Sequence, residues 1–193
     1  MPLNKMHPKD FLTSYLNDFS DLVKPDERTI EQLIEVADLL KVVNTAGKKT
    51  LIFGNGGSAA ISSHFSVDLT KNAGLRCINC NEADLITCFS NDYGFERWVE
   101  KAVDFYGDEG DLLIIISSSG SSKNMLNGVK AARNGKFKAV VTLSGFSKDN
   151  PLRELGDINL WVNNRAYNFV ENLHQIWLLA IVDLIIGFRE YSA

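Results

Sequence analysis

The chain reads as an α/β protein: a five-stranded parallel sheet layered between helices, with an N-terminal helical hairpin and a long C-terminal helix. Three observations carry this. From Lys49 onward, short β-rich runs at 50–54, 76–79, 112–117, 139–144 and 158–162 alternate with helical patterns. The helical stretches are 58–71, 84–90 with 95–103, 124–134 and a short piece near Leu152. The run Leu112-Leu113-Ile114-Ile115-Ile116 has no polar interruption, the texture of a central strand covered on both faces. Finally, a glycine-rich turn and a serine-rich turn each follow a strand and open a helix, as at the carboxyl edge of an open α/β sheet.

The first 47 residues are helical by pattern. Phe11, Tyr15, Phe19 and Leu22 recur at helical spacing until Pro25 interrupts. Thr29 and Gln32 have the spacing of a capping box. Ile30, Leu33, Ile34, Ala37, Leu40 and Val43 then form a second stripe, which Gly47 ends. The last helix, 167–189, is apolar almost all round after His174. Such a helix is buried on every side, so with the N-terminal pair it reads as a contact between subunits of a homo-oligomer. Ordinary packing on the sheet of one subunit is the alternative.

At 193 residues the chain is expected to form one domain, 1–193, with the hairpin at 1–47 and the α/β core at 48–193. Apolar residues make up 45% and charged residues 23%, which excludes wholesale disorder. Twenty Lys and Arg against 24 Asp and Glu leave a net charge of -4 and no basic footprint for nucleic acid. Three cysteines do not make a disulfide framework. Cys77 and Cys80, three apart on a strand, point to opposite faces and so share no metal. The polar Met1–Asp10 stretch is unlike a signal peptide. The apolar run 176–188 is broken by Asp183 and reads as too short for a bilayer. A cytoplasmic protein without membrane or nucleic-acid partners is the expectation.

Gly54-Asn55-Gly56-Gly57-Ser58 has the form of an anion-binding turn, in which a helix N-terminus offers amides and a positive dipole end. Gly54-x-Gly56-x-x-Ala59 superficially fits a dinucleotide fingerprint, but no acidic residue ends the next strand. No Lys-Ser/Thr pair follows the glycines either, so no nucleotide cofactor is expected. Ser117-Ser118-Ser119-Gly120-Ser121-Ser122 offers a dense set of hydroxyls at a second helix start. Hydroxyls and amides can bind a phosphate monoester without Lys or Arg. Two such turns imply a small phosphorylated ligand.

These turns, in this order, resemble the sugar isomerase (SIS) domain family, and its phosphoheptose isomerase branch in particular. That branch carries G-N-G-G-S, then H-F with Glu four after the His, N-D-x-G, I-S-x-S-G-x-S, and Q-E-x-H with a second His five further on. This chain has Gly54–Ser58, His64-Phe65, Asn91-Asp92-Tyr93-Gly94, Ile116–Ser122 and Glu171-Asn172-Leu173-His174. The resemblance implies a flavodoxin-like sandwich, a tetramer with sites where subunits meet, and aldose–ketose isomerisation of sedoheptulose 7-phosphate or a similar sugar for activated heptoses of surface glycans. It implies that Ser117, Ser118, Ser119 and Ser122 hold the phosphate. Asn55, Gly56, Gly57 and Ser58 would serve the sugar or phosphate from the first turn, and Asp92 the sugar hydroxyls. Several members bind zinc, for which His64, Asp68 and Glu171 are the candidate ligands here.

The chain departs from the pattern where chemistry is done. The family's Glu is Asp68, its Gln is Glu171, its next Glu is Asn172, and its second His is Leu179, which cannot move a proton. Isomerisation moves one proton between carbons through an enediol and another between oxygens. His64 and Asp68 at i, i+4 share a helix face, as do Glu171 and His174 at i, i+3. These four supply either a base and an acid, with Asp68 or Glu171 as base and His64 or His174 as acid, or an imidazole–carboxylate metal site. Leu179 favours a second reading: a non-catalytic SIS tetramer that binds a phosphosugar or another protein, such as a replication initiator. Two carboxylates beside one cleft favour the isomerase.

Overall fold

The computed structural model describes residues 6–24 and 26–190. Its element order is α1 (Pro8–Val23), α2 (Glu27–Thr45), β1 (Thr50–Gly54), α3 (Gly57–Lys71), β2 (Cys77–Ile78) and α4 (Ala83–Tyr93). Then come α5 (Trp98–Tyr106), β3 (Leu112–Ser117), α6 (Lys123–Asn134), β4 (Ala139–Ser144), β5 (Ile158–Trp161) and α7 (Tyr167–Ile186). Short 3₁₀ turns at Phe95–Arg97 and Pro151–Glu154 complete it. All five strands are parallel, in the order β2-β1-β3-β4-β5. The chain winds outward from β1 to β2 and then in the opposite sense from β3, so the order reverses between β1 and β3. A crevice opens at their carboxyl ends at such a reversal.

The pleat divides the core in two. Ile52, Ile114 and Val141 point into one apolar cluster with Ala37 and Leu40 of α2, Phe65 and Leu69 of α3, and Leu173 and Leu178 of α7. Their neighbours Phe53, Ile115 and Val140 point into the other, with Trp98 and Val99 of α5 and Met125 and Val129 of α6. This is the three-layer sandwich the strand–helix alternation predicts. Cys77 packs on the first cluster and Cys80 in the second, on opposite faces.

Several boundaries differ from expectation. The interruption at Pro25 lies outside the described residues, as does most of the Met1–Asp10 stretch. Asp26, not Thr29, caps α2: its carboxylate accepts from the Thr29 N–H at 2.7 Å, so the helix begins three residues earlier than a Thr29 cap implies. β2 is only two residues long, and just beyond it Cys80 adopts φ +52°, which turns the chain out of the sheet. A short edge strand leaves little unpaired backbone to attract another sheet. α7 stops at Ile186 instead of 189, because Gly187 takes a left-handed conformation and donates its N–H to Asp183.

α7 is also not apolar to no purpose. The whole helix, Tyr167–Ile186, is long and apolar enough by length and composition to cross a bilayer, although the run 176–188 by itself is not. In the fold its Val170, Leu173, Trp177, Leu178, Ile181 and Val182 pack into the first cluster, while Ile176 and Leu184 face outward. It is therefore buried on one side, not all round.

Opposite the crevice, at the amino ends of β1 and β3, sits a buried ion pair. Asp111 is fully buried; its carboxylate accepts from Lys49 Nζ (2.6 Å), the Lys49 N–H (3.0 Å) and the Asp108 N–H (2.8 Å). Lys49 Nζ also reaches Asp108 at 2.6 Å. The cluster staples the starts of the two strands whose far ends form the crevice.

Candidate active site

The glycine and serine turns lie side by side at the carboxyl ends of β1 and β3, which pair in register from Thr50–Leu112 to Gly54–Ile116. The hollow between them has a volume of about 150 Å³. Asn55, Ser58, Ile116, Ser117, Ser118, Ser119, Ser122, Tyr167 and Glu171 line it. It is open and polar, of a size for a phosphoryl group.

Its hydroxyls are unevenly committed. Ser117 Oγ and Ser122 Oγ are 3.3 Å apart, and Ser119 Oγ accepts from the Ser121 N–H (3.3 Å) and from Ser121 Oγ (3.1 Å). Ser118 Oγ is buried without a hydrogen-bond partner. A buried polar group left so costs free energy unless something fills its site. The first turn is more self-contained than the sequence implies: the Ser58 N–H already donates to the Asn55 carbonyl at 3.0 Å. Asn55 is also occupied. Its side-chain amide and that of Asn124, in the first turn of α6, exchange hydrogen bonds of 3.1 and 2.9 Å and tie one turn to the other.

Glu171 enters from α7, above the start of α3. A Cβ on Gly57 would meet its carboxylate and displace it, so glycine there leaves the carboxyl its place beside the hollow. Gly56, the N-cap of α3, supplies no side chain. Burial raises the Glu171 pKa above the usual carboxylate value. It is the only carboxylate among the lining residues.

Further along the same helix pair, His64 Nε2 is 3.2 Å from Asp68 Oδ2, and His64 Nδ1 is 3.1 Å from Gln175 Nε2. His64 lies seven residues beyond Gly57, about 10 Å along the helix axis. The structure thus brings Glu171 and the four serines into one hollow and sets the His64–Asp68 pair beside it along α3.

Two expected site residues lie elsewhere. His174 is fully buried, with Nε2 3.1 Å from the Ser144 carbonyl, and burial pulls its pKa down to about 4 against the hydrogen bond to Ser144. It is a neutral core imidazole whose Nε2–H donates to that carbonyl; a shared face with Glu171 at i, i+3 gave way to the packing of α7 on the sheet. Asp92 sits exposed on α4, accepting from its own neighbour Asn91 at 2.9 Å, and does not line the hollow. Conversely, Tyr167 and Gln175 were not singled out by sequence. Both are four residues from Glu171, one on each side, and that helical spacing is the signal that finds them.

A zinc ion finds too few donors. Among the described residues no three His, Cys, Asp or Glu side chains come together in a metal-binding group. His64 and Asp68 are adjacent, but Glu171 is turned to Gly57 and the second nitrogen of His64 meets an amide. This donor set does not fit a zinc held by one chain, contrary to the expectation for His64, Asp68 and Glu171.

A model of the SIS domain matches residues 14–145. The chain is 34% identical over 182 residues to the phosphoheptose isomerase of Fusobacterium nucleatum, spanning 90% of this chain and 92% of that one. The chain belongs to the SIS domain family, among the phosphoheptose isomerases. Solved SIS structures agree in shape. Phosphoheptose isomerase from Neisseria gonorrhoeae superposes with a TM-score of 0.85 at 27% identity, covering 94% of this chain and 100% of that one. The Francisella tularensis enzyme gives 0.83 at 26%, covering 93% and 98%. The serine and glycine turns of this SIS chain therefore sit on the framework their order implied.

Proposed function

We propose that the chain isomerises a phosphorylated sugar, sedoheptulose 7-phosphate or a close analogue, between ketose and aldose through an enediol. The observation that carries this reading is the Ser118 hydroxyl, buried and unpartnered in a serine-lined hollow with Glu171 at its wall. The serines take the phosphoryl oxygens. The sugar then lies along α3 between the hollow and the His64–Asp68 pair, with its carbonyl end between Glu171 and Asp68. Asp68 removes a proton from C1 of the ketose while the C2 oxygen gains one, giving the enediol. C2 then takes the proton and the C1 hydroxyl loses its own, giving the aldehyde. Glu171, whose burial favours the protonated form, carries the oxygen-bound proton. His174 takes no proton step, and no step is routed through zinc.

Turnover of sedoheptulose 7-phosphate by pure protein, read by a coupled assay, tests the reaction. Leu179 keeps the non-catalytic reading in view: binding of the phosphosugar with no turnover would favour it. Replacing Ser118 by Ala is expected to weaken phosphosugar binding by about 1.5–3 kcal/mol, on the order of ten- to a hundredfold. Ser119→Ala and Ser122→Ala should weaken it in the same sense. Calorimetry with the three variants checks this; unchanged affinity would remove the phosphate from the serine turn.

We also read residues 1–193 as one unit that assembles into a homo-tetramer through its helical hairpin and α7. Exposed Leu12 and Leu16 on α1 and Ile176 and Leu184 on α7 support this. Light scattering at micromolar concentration should give a mass several times 21.5 kDa; a monomer would overturn it. The three free thiols, one of them exposed, support a cytoplasmic location.

A further inference from the structure

The hydrogen bond that links α7 to α3 assigns a task to Gln175, which lies outside the serine hollow. Its Nε2 is 3.1 Å from His64 Nδ1, and His64 Nε2 is 3.2 Å from Asp68 Oδ2. Nε2 stands at ion-pair distance from Asp68, and a carboxylate can only accept, so a hydrogen on that nitrogen is the arrangement that suits it. In a neutral ring the other nitrogen is then a bare acceptor, and the Gln175 amide N–H is the donor in place to meet it. Nδ1 is thus hydrogen-bonded across to α7, while Nε2 faces Asp68 on its own helix.

We propose that Gln175 is a positioning residue that holds His64 in its Nε2–H tautomer, so that His64 donates to Asp68 Oδ2 and leaves the other carboxylate oxygen for the substrate proton. An i, i+4 pair on a half-exposed helix face keeps its geometry only weakly by itself. A third group on a different helix adds what that pair lacks, a fixed point outside α3. Glu171, Gln175 and Leu179 recur every four residues along α7. Gln175 thus stands one turn before the leucine that replaces the family's second His, and it supplies an amide on the side where that His is missing. An amide cannot exchange the proton a His would, but it can orient one. The role given to Asp68 rests on the isomerase reading; the tautomer does not.

The test is ¹⁵N NMR of the His64 ring at about pH 8.5, above the ordinary imidazole range, with a chelator present so that both nitrogens are read free of metal. The wild type should show a pyrrole-like Nε2 and a pyridine-like Nδ1. Gln175→Leu should move both shifts toward those of a free imidazole. It should also lower kcat about tenfold with KM little changed. Gln175→Glu keeps the shape but removes the donor, and should lose the wild-type signature as well. Circular dichroism confirms that each variant is folded. Wild-type ring shifts in Gln175→Leu, or an unchanged kcat, would overturn the proposal. A wild type that shows the signature but turns over no phosphosugar would count against the isomerase reading and not against the tautomer lock.

Discussion

Replacing Glu171 by Gln should lower kcat by a factor on the order of 10²–10⁴, the usual range for losing a positioned acid or base, while KM changes little. The substitution keeps the shape that Gly57 accommodates and removes only the proton-carrying group. It also returns the family's residue to this position, so a purely structural role would leave activity intact or improve it. Stability gives a second readout with its own sign. Burial raises the Glu171 pKa on folding, so the stabilisation that comes with its proton is complete below the unfolded value and lost as pH rises through the folded one. Above that folded value the folded state holds a carboxylate under penalty. Glu171→Gln should be at least as stable as the wild type there, with any advantage vanishing in acid. A variant that is inactive because it is unfolded would contradict this, and thermal denaturation at pH 7 and pH 4 separates the two.

The second large effect lies at the other end of the sheet. Asp111→Ala should cost about 3–5 kcal/mol, as expected when one partner of a buried ion pair is removed. That is a large part of the roughly 5–15 kcal/mol that holds a domain folded. Three donors, Lys49 Nζ and the Lys49 and Asp108 amides, would lose their acceptor inside the protein. Urea unfolding measures the loss; a change under 1 kcal/mol would mean that water takes the place of the carboxylate. Lys49 sets the pH limit of the pair. Burial draws its pKa down, but hydrogen bonds to Asp108 and Asp111 outweigh this and raise it. Its contribution is therefore complete below the ordinary lysine value and fades as pH rises through the folded one. The wild type should lose stability on the alkaline side, and Lys49→Met should lack that arm.

Much of the architecture is visible in the chain before any coordinates. The five β-rich runs became strands, and three kept their ends unchanged, because a strand buried on both faces needs a continuous apolar run whatever surrounds it. The serine and glycine turns became the walls of the hollow, since only strand ends at the reversal of the sheet order leave a crevice open. The helix boundaries were less legible. Asp26 and Thr29 are both good caps, and which one serves depends on where the preceding chain enters.

The site itself was only partly readable. Glu171 and His174 share a helix, and spacing alone places both toward one cleft. Packing separates them: the rotation of α7 on the sheet puts His174 beneath it against Ser144 and Glu171 over Gly57. The same rotation aligns Gln175 with His64, a contact across 111 positions of chain that no local pattern encodes. Residue types and their periodicity determined the layers, the order of turns and the hydroxyl- and amide-rich chemistry of the hollow, because these follow from burial and from hydrogen-bonding capacity along a few consecutive residues. Which titratable groups meet, and which stays neutral in the core, was decided only by the tertiary structure, because it depends on how two helices far apart in sequence settle against each other.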